Sequence, residues 1–364
     1  MIDLDNIEIY QRYDSGGMRV HLRNLPQQCR KAWLKASEFV LPADFENIDK
    51  VVVCGMGGSA IGGDLLRSLA SRLNKPLVFV NRDYDLPAFV DSRTLVIASS
   101  YSGNTEETLC AFSQALNINC KRLAVTTGGD LNSLARKNRV PVFDIDYISQ
   151  PRAALGYSFI PLIALMVKLG FLKDKSTEVE GMAQMLESLS DNLAEDVSTP
   201  LNPAKRLAKK IFGRLVVIYG AGILSPVAQR WKGQFNENSK SWSFYETFSE
   251  LNHNAVVGYE FPREIADRVY IILLRCPSLH PRIIARYQIT GEILGKAGVE
   301  HEIVDSQGED DLAQMMSLVF LGDWVSYYLA VLYQTDPTPV KAIEYLKGRL
   351  GGINTILSGG GSGI

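Results

Sequence analysis

Residues 98–108, ASSYSGNTEET, place several hydroxyl groups between an apolar run and a predicted helix. Ser100, Ser102 and Thr105 surround Gly103 in this stretch, and Ser59 lies in a second glycine-rich loop, GMGGSA. Phosphate oxygens accept hydrogen bonds, and hydroxyls together with backbone amides at a helix start can bind them without a lysine. The two loops therefore predict a phosphate-binding site, in which Gly103 lets the backbone approach the ligand closely.

Two other interpretations of these residues remain open. Asn104 and Glu107 can form a helix capping box, with the serines as ordinary turn residues. The GMGGSA turn also resembles a GxGxxA dinucleotide loop, and Asp83 is roughly placed as the acid that would bind the ribose. A nicotinamide site, however, gives the hydroxyl-rich loop no role in pyrophosphate binding. Two hydroxyl-bearing glycine loops on successive strand–helix units favour the phosphate site.

The elements that must position these loops follow a strand–loop–helix plan. The segment KVVVCGMGGSAIGGDLLRSLA, which begins at residue 50, predicts a strand, a turn and a helix. Further strands are expected at 76–81, 94–100 and 122–127, and a helix is expected over 150–172. Strands that alternate with helices indicate a parallel sheet covered on both faces.

The second half of the chain repeats this plan at 214–235, 268–290 and 299–305, but without the serines. We therefore predict an α/β protein of two doubly wound parallel-sheet domains related by internal duplication. The expected divisions are 1–172 for the first domain with its N-terminal helical segment, 173–335 for the second domain, and 336–364 for a C-terminal helix and a glycine-rich tail. A chemical feature kept by only one copy is expected to bind a ligand rather than to serve folding.

Composition excludes several functional classes. The formal net charge of −2 leaves no basic surface for nucleic acid or an anionic membrane. No stretch reaches about 20 uninterrupted apolar residues, and the amino terminus lacks the pattern of a signal peptide. We therefore expect a cytoplasmic protein with no membrane or nucleic-acid partner. The five cysteines lack metal-site spacing, so free buried thiols are expected rather than disulfides or zinc.

Six motifs, taken in order along nearly the whole chain, resemble the bifunctional phosphoglucose/phosphomannose isomerases, which are built from two sugar isomerase (SIS) domains. The motifs are GMGGSAIGGD, SSYSGNTEET, QPRAALGY, NENSK, ELNHN and DPTPVKAIEYLKGRL. The hydroxyl loop alone would indicate only some SIS domain. The combination of NENSK with ELNHN points to this subfamily.

The resemblance implies a role for each matching residue. The ligands of the phosphate of a hexose 6-phosphate would be Ser59, Ser100, Ser102 and Thr105, with backbone contacts from Gly58 and Gly103. In the catalytic centre, the resemblance assigns Glu237 as the base, His253 as the ring-opening residue, Arg152 to the sugar side of the cleft and Lys347 to the ring oxygen. No metal and no cofactor are implied.

These residue types suit an aldose–ketose isomerisation through a cis-enediol. One carboxylate, here Glu237, can take the proton from C2 and return it at C1. An imidazole such as that of His253 can move a proton between the ring oxygen and the anomeric hydroxyl near neutral pH. A guanidinium, that of Arg152, can stabilise the enediolate charge. Rotation about C2–C3 in the intermediate would give the glucose and the mannose epimer from the same base.

The residues alone leave plainer alternatives for each assignment. Arg152 could be a solvent-exposed residue at a helix start, and composition gives no reason to prefer Glu237 over Glu246 or Glu250. Loop histidines are usually structural, and Lys347 lies on an amphipathic terminal helix where a surface lysine is expected.

The family resemblance carries two further expectations, and one alternative function stays open. Thr338 is a candidate for the small residue that admits the mannose epimer. The chain is expected to form a homodimer in which His253 acts across the subunit interface. The alternative function is a noncatalytic SIS-type protein that senses sugar phosphates.

Overall fold

A computed structural model describes residues 2–351, and the remaining glycine-rich tail, 352–364, lies outside the described residues. The strands form two separate sheets in which all neighbouring strands are parallel. The first sheet contains β1 (Lys50–Cys54), β2 (Leu77–Asn81), β3 (Thr94–Ser99), β4 (Lys121–Thr126) and β5 (Val142–Asp144). The second sheet contains β6 (Leu215–Gly220), β7 (Ser243–Thr247), β8 (Val269–Arg275) and β9 (Glu300–Asp305).

The order of the strands repeats between the two sheets. The first sheet has the order β2-β1-β3-β4-β5 and the second has the order β7-β6-β8-β9. In each sheet the second strand pairs with one edge of the first strand, and the third strand pairs with the opposite edge of the first strand. The predicted duplication of a doubly wound fold is therefore confirmed. Each such reversal creates a crevice at the carboxyl ends of the strands, between β1 and β3 or between β6 and β8.

Two of these strands were not predicted from the sequence. β5 has only three residues, which is too short to show a periodic pattern. β7 lies at the edge of its sheet and leaves Phe244 and Tyr245 partly exposed, so its sequence lacks the apolar run of a buried strand. By contrast, β3 is buried along its full length and was the plainest strand in the sequence.

The helices cover both faces of the sheets and fill the space between them. Their bounds are α1 (Glu8–Tyr13), α2 (Met18–Arg23), α3 (Leu25–Glu38), α4 (Gly57–Ala70), α5 (Glu106–Leu116), α6 (Gly129–Lys137), α7 (Leu155–Lys168), α8 (Ser176–Leu193), α9 (Pro203–Ile211), α10 (Ser225–Glu237), α11 (Arg263–Ala266), α12 (Pro281–Ala297), α13 (Asp311–Leu332) and α14 (Lys341–Gly351). Short 3₁₀ segments are Pro151–Ala153, Gly222–Leu224, Glu250–His253 and Ala255–Val257. The predicted helix over 150–172 is thus a 3₁₀ turn followed by the shorter α7.

A helical layer joins the two halves. α4 packs against α7 and α10, and α10 packs against α13, while α3 covers α7 and α8. α13 is long and apolar enough to cross a membrane, but 94% of its apolar window is buried inside this protein. It therefore forms the centre of the helical core. The predicted domain boundaries at 172 and 335 fall outside the strands of either sheet and stay predictions.

The cysteines belong to the apolar core. Four of the five cysteines are buried, Cys110 is half-buried, and none forms a disulfide. Burial raises the pKa of the Cys29 thiol to about 12, so this residue behaves as a small apolar side chain. The expectation of free, mostly buried thiols is confirmed.

Candidate active site

The two glycine-rich loops predicted to bind phosphate lie side by side. Ser100 and Ser102 follow β3, and Ser59 lies in the first turn of α4. The backbone N–H of Tyr101 donates to Oγ of Ser59 at 3.1 Å, which joins the two loops. Within the second loop, Oγ of Ser100 donates to Oγ1 of Thr105 at 2.9 Å. Ser59, Ser100 and Thr105 therefore belong to one polar cluster, whereas Oγ of Ser102 accepts from the backbone N–H of Asn104 at 3.3 Å.

Two glycines make this arrangement possible. Gly103 has a φ of +71°, and a Cβ at this position would clash with the carbonyl oxygen of Gly128. A Cβ at Gly58 would lie 2.9 Å from the backbone nitrogen of Arg152. A side chain at either position would push the loops away from their neighbours. The contact at Gly58 also places the first loop directly against the segment that carries Arg152.

The capping-box alternative for Asn104 and Glu107 is wrong. The N-cap residue of α5 is Thr105, and its side chain makes no capping hydrogen bond. The Oδ1 atom of Asn104 instead accepts a hydrogen bond from the backbone N–H of Asp130 at 2.9 Å. No N-cap side chain occupies the N–H groups at the start of α5, which suits the binding of an anion there.

Arg152 is buried, with 2% of its surface exposed, so its interpretation as a surface residue is wrong. Its Nε donates to Oδ1 of Asn238 at 2.7 Å. Its Nη2 donates to the carbonyl oxygens of Pro337 and Thr338 at 2.6 and 2.8 Å. Burial lowers the pKa of the guanidinium, and the nearby Glu237 carboxylate opposes that effect. The structure therefore holds a desolvated cation in a fixed orientation.

Glu237 is the last residue of α10 and faces Arg152. Its Oε2 atom lies 3.4 Å from Nη1 of Arg152, and its side chain is 29% exposed. Both residues line a cavity of about 350 Å³, together with Gly57 and Gly58 from the first glycine loop. One cavity therefore connects a carboxylate, a guanidinium and the edge of the predicted phosphate site.

A buried ion pair joins α10 to α13. Nη2 of Arg230 donates to Oδ2 of Asp323 at 2.7 Å, and Nε2 of Gln234 donates to the other carboxylate oxygen at 2.7 Å. Arg230 also donates to the backbone carbonyl oxygen of Arg152 at 3.0 Å. Because both charges are buried and hydrogen-bonded, this contact fixes α10, and with it Glu237, against α13 and the Arg152 segment.

His253 and Lys347 do not reach this cavity within one chain. His253 is exposed at the end of the 3₁₀ segment Glu250–His253, and Lys347 is exposed on α14. Neither is among the described residues that line the cavity. The structure thus brings together the first glycine loop, Arg152 and Glu237 at one cavity, but not the other two predicted catalytic residues. The four predicted phosphate ligands are also not among the described residues that line it: Ser59, Ser100, Ser102 and Thr105.

The remaining candidates also lie away from the cavity. Glu246 belongs to β7, and Glu250 accepts a hydrogen bond from Nδ2 of Asn254 at 2.8 Å. Neither is among the described residues that line the cavity, so its geometry favours Glu237. Thr338 contributes its carbonyl oxygen to Arg152, while its side chain lies so close to Gly16 that a Cβ there would clash with it.

Sequence analysis missed some polar residues of the cavity. Arg82, Lys232 and Tyr245 are among its lining residues, and Arg82 forms an ion pair with the buried Asp64. Arg82 directly follows β2, at the carboxyl end of a strand, and a cation there is a signal that could have been used. Lys232, on α10, gave no such signal. Tyr245 gave none either, because it lies on the unpredicted strand β7. The added cations favour an anionic ligand.

Residues 2–351 contain no group of three or more His, Cys, Asp or Glu side chains placed to hold a metal ion. The side-chain donors that line the cavity are cations, amides and the hydroxyl of Tyr245, which suit a phosphate ester.

Known proteins resemble this chain over nearly its whole length. The family model described as the bacterial phospho-glucose isomerase C-terminal SIS domain matches residues 201–350. The bifunctional phosphoglucose/phosphomannose isomerase of Caldicellulosiruptor bescii is 48% identical over 90% of this chain and 97% of its own length. The protein of the same name from Aquifex aeolicus is 38% identical over 82% of this chain and 90% of its own length.

A solved structure shares the fold. The glucose-6-phosphate isomerase-like protein from Thermus thermophilus superposes with a TM-score of 0.64 at 20% sequence identity. The superposition covers 93% of this chain and 99% of that protein.

Proposed function

We propose that this chain, which belongs to the family of bifunctional phosphoglucose/phosphomannose isomerases, interconverts glucose 6-phosphate and mannose 6-phosphate with fructose 6-phosphate through a cis-enediol. The observation that carries the proposal is the shared cavity of Glu237 and Arg152 beside the first glycine loop. A base, a cation for the intermediate and a phosphate anchor are the groups that this reaction needs.

The substrate phosphate binds at the two glycine-rich loops. Hydroxyls of Ser59, Ser100, Ser102 and Thr105 donate to its oxygens, and the backbone at Gly58 and Gly103 approaches it closely. Anchoring the phosphate places C1 and C2 of the sugar at a fixed distance along the cavity. Binding energy from this remote group is then available to orient the reacting carbons.

Glu237 is the base that moves the proton between C2 and C1. It removes the C2 proton of the open-chain aldose and returns it to C1, so that one carboxylate serves both steps. If the intermediate rotates about C2–C3 before the reverse transfer, the proton reaches the other face of C2. The same carboxylate then forms the glucose epimer and the mannose epimer.

Arg152 stabilises the enediolate. Its guanidinium is already desolvated and held by three acceptors, so little reorganisation is required when negative charge develops on the sugar oxygens. The contact of Nη1 with Glu237 is long, at 3.4 Å, which leaves this edge of the guanidinium able to turn to the substrate.

Ring opening requires a second copy of the chain. His253 transfers the proton between the ring oxygen and the anomeric hydroxyl, and its exposed position away from its own cavity supports a homodimer in which it enters the partner's cavity. Lys347 assists from α14, whose exposed apolar residues Ile343 and Leu346 support a contact with another copy. The substrates are those of glycolysis and gluconeogenesis, so we place the protein in the cytoplasm and in these pathways.

Mixing two inactive variants tests this arrangement. A dimer of one Glu237→Gln chain and one His253→Ala chain has one site with both native residues if His253 acts across the interface. The purified mixed dimer, with one of its two sites intact, is therefore expected to have about half of wild-type activity, and an unfractionated random mixture about a quarter. Activity is measured after the variants are coexpressed with different tags and the mixed dimer is purified.

If His253 acts within its own chain, every site in the mixed dimer carries one substitution, and activity stays at the level of the parents. That result would reject the exchange of His253 between subunits. A mixed dimer of Glu237→Gln with wild type controls for the effect of the tags.

Proton NMR of the wild-type protein with fructose 6-phosphate in EDTA tests the activity itself. Both glucose 6-phosphate and mannose 6-phosphate are expected to appear, because neither the base nor the cation in the cavity depends on a metal. Formation of glucose 6-phosphate alone would remove the mannose activity from the proposal. Binding of fructose 6-phosphate without turnover would replace it by the sugar-phosphate sensor.

A further inference from the structure

We propose that Asn238 is the positioning residue that orients the guanidinium of Arg152 for the enediolate. The inference rests on the proposed function, and it concerns a residue to which neither the sequence analysis nor the family resemblance gave a role. Asn238 directly follows Glu237 and is fully buried. It therefore lies beside the reacting groups without lining the cavity.

The hydrogen bonds of Arg152 leave one edge of the guanidinium for the substrate. A guanidinium has five N–H donors, one on Nε and two on each Nη. Nε donates to Asn238, and Nη2 donates to the carbonyl oxygens of Pro337 and Thr338. Among the described residues, Nη1 has only the 3.4 Å contact with Glu237. Asn238 and the two carbonyls thus hold the far edge, and Nη1 faces the cavity.

Asn238 is fixed in the orientation that this task requires. Its Nδ2 donates to Oγ of Ser326 at 2.9 Å, and the Ser326 hydroxyl donates in turn to the carbonyl oxygen of Asp323 at 2.8 Å. Because the hydroxyl hydrogen is used in that bond, Oγ of Ser326 accepts from the amide nitrogen. The amide oxygen of Asn238 must then face Nε of Arg152.

The support for Asn238 comes from α13, close to the residue that anchors α10. Asp323 binds Arg230 and Gln234 on α10, and Ser326 lies one turn further along α13. The base at the end of α10 and the cation of Arg152 are therefore aligned on one rigid surface. A change in the Asn238–Ser326 pair should disturb Arg152 while leaving the anchor of α10 in place.

Loss of the Asn238 oxygen leaves Nε of a buried cation without an acceptor and lets the guanidinium turn. We expect Asn238→Ala to lower kcat for fructose 6-phosphate by about 10- to 100-fold, with KM changed by less than about threefold, because misorientation affects the transition state more than the bound substrate. Asn238→Asp keeps an oxygen toward Nε and is expected to recover part of kcat. Asn192→Ala, the same change at an exposed position of α8, is the matched control.

A double-mutant cycle separates positioning from a general loss of structure. If Asn238 acts through Arg152, Asn238→Ala should have almost no further effect on kcat in an Arg152→Met background. Independent, multiplied effects of the two substitutions would overturn the proposal. So would an Asn238→Ala variant with the kcat of wild type.

A binding measurement keeps the proposal testable if the chain does not turn over sugar phosphates. Arabinonate 5-phosphate carries a planar carboxylate where the enediolate forms, so its affinity reports on Arg152. By calorimetry, Asn238→Ala should weaken its binding about tenfold or more and leave fructose 6-phosphate binding within about threefold. Equal effects on both ligands, or none, would overturn the positioning role, whereas absence of wild-type turnover would contradict only the proposed function.

Ser326→Ala decides the question if Asn238→Ala does not fold. It removes the group that fixes the amide and deletes a single buried oxygen. We expect a fall in kcat of about three- to tenfold and the same selective loss of arabinonate 5-phosphate affinity. Wild-type kcat and affinity in this variant would overturn the proposal.

Discussion

Glu237→Gln is expected to lower kcat for fructose 6-phosphate by about 10²- to 10⁴-fold, because general base catalysis contributes an effect of this order and the amide cannot accept the C2 proton. KM should change little, since the phosphate loops are untouched. The measurement is the rate of aldose formation, followed together with exchange of the sugar C1 and C2 protons in D₂O. Both should be lost in the variant.

Glu246→Gln is the matched control for this prediction. It makes the same chemical change on β7, outside the described lining of the cavity, and should keep wild-type exchange. If Glu237→Gln retained proton exchange while Glu246→Gln lost it, the base would be assigned to the wrong carboxylate. Loss of exchange in both variants would indicate a more general disturbance of the second sheet.

Arg152→Met is expected to lower kcat by about 10²- to 10³-fold, as the removal of one preorganised donor to an oxyanion does. The loss is large because the native guanidinium is already buried and held on its far edge, so no solvent has to reorganise around it when the enediolate charge develops. Kinetics in both directions, with glucose 6-phosphate and with fructose 6-phosphate, should show the same loss, since both pass through one intermediate.

Stability must be measured alongside activity, because Arg152 also ties Pro337 and Thr338 to the cavity wall. Arg152→Lys keeps the charge but cannot reproduce the fork of donors, and its kcat should lie between those of wild type and Arg152→Met. If Arg152→Met unfolds at the wild-type temperature and keeps the wild-type kcat, the guanidinium does not stabilise the intermediate.

The first sheet and the two glycine-rich loops beside it were largely predictable from sequence, for physical reasons. β1 and β3 are buried on both faces, so their apolar runs stand out, and the glycines at 58 and 103 mark close backbone approaches. The edge strand β7 is half-exposed and carries no such run. The repeat of the strand–loop–helix plan predicted two doubly wound halves, while the order of the strands came from the structure.

The catalytic centre was less predictable, because its members depend on tertiary contacts. Arg152 lies in a QPRAAL segment that looks like an exposed helix start, and tertiary contacts with α4, Asn238 and the carbonyl of Pro337 bury it. Without the family resemblance, nothing distinguished Glu237 from Glu246. Asn238 gave no signal at all, since its role depends on Ser326, 88 residues away along the chain.

The duplicated fold has a mechanical consequence for substrate choice. The proposed phosphate loops belong to the first half, while the proposed base, Glu237, ends α10 of the second half, and the two are joined by the packing of α4 on α10. The distance from the anchor to the base is therefore set by how the two copies are docked. A small rotation of one copy against the other would bring a different sugar carbon to the carboxylate while every phosphate contact stayed the same. Under the proposed function, which sugar carbon reacts is therefore set by the packing of this helical layer rather than by the loops proposed to bind the phosphate.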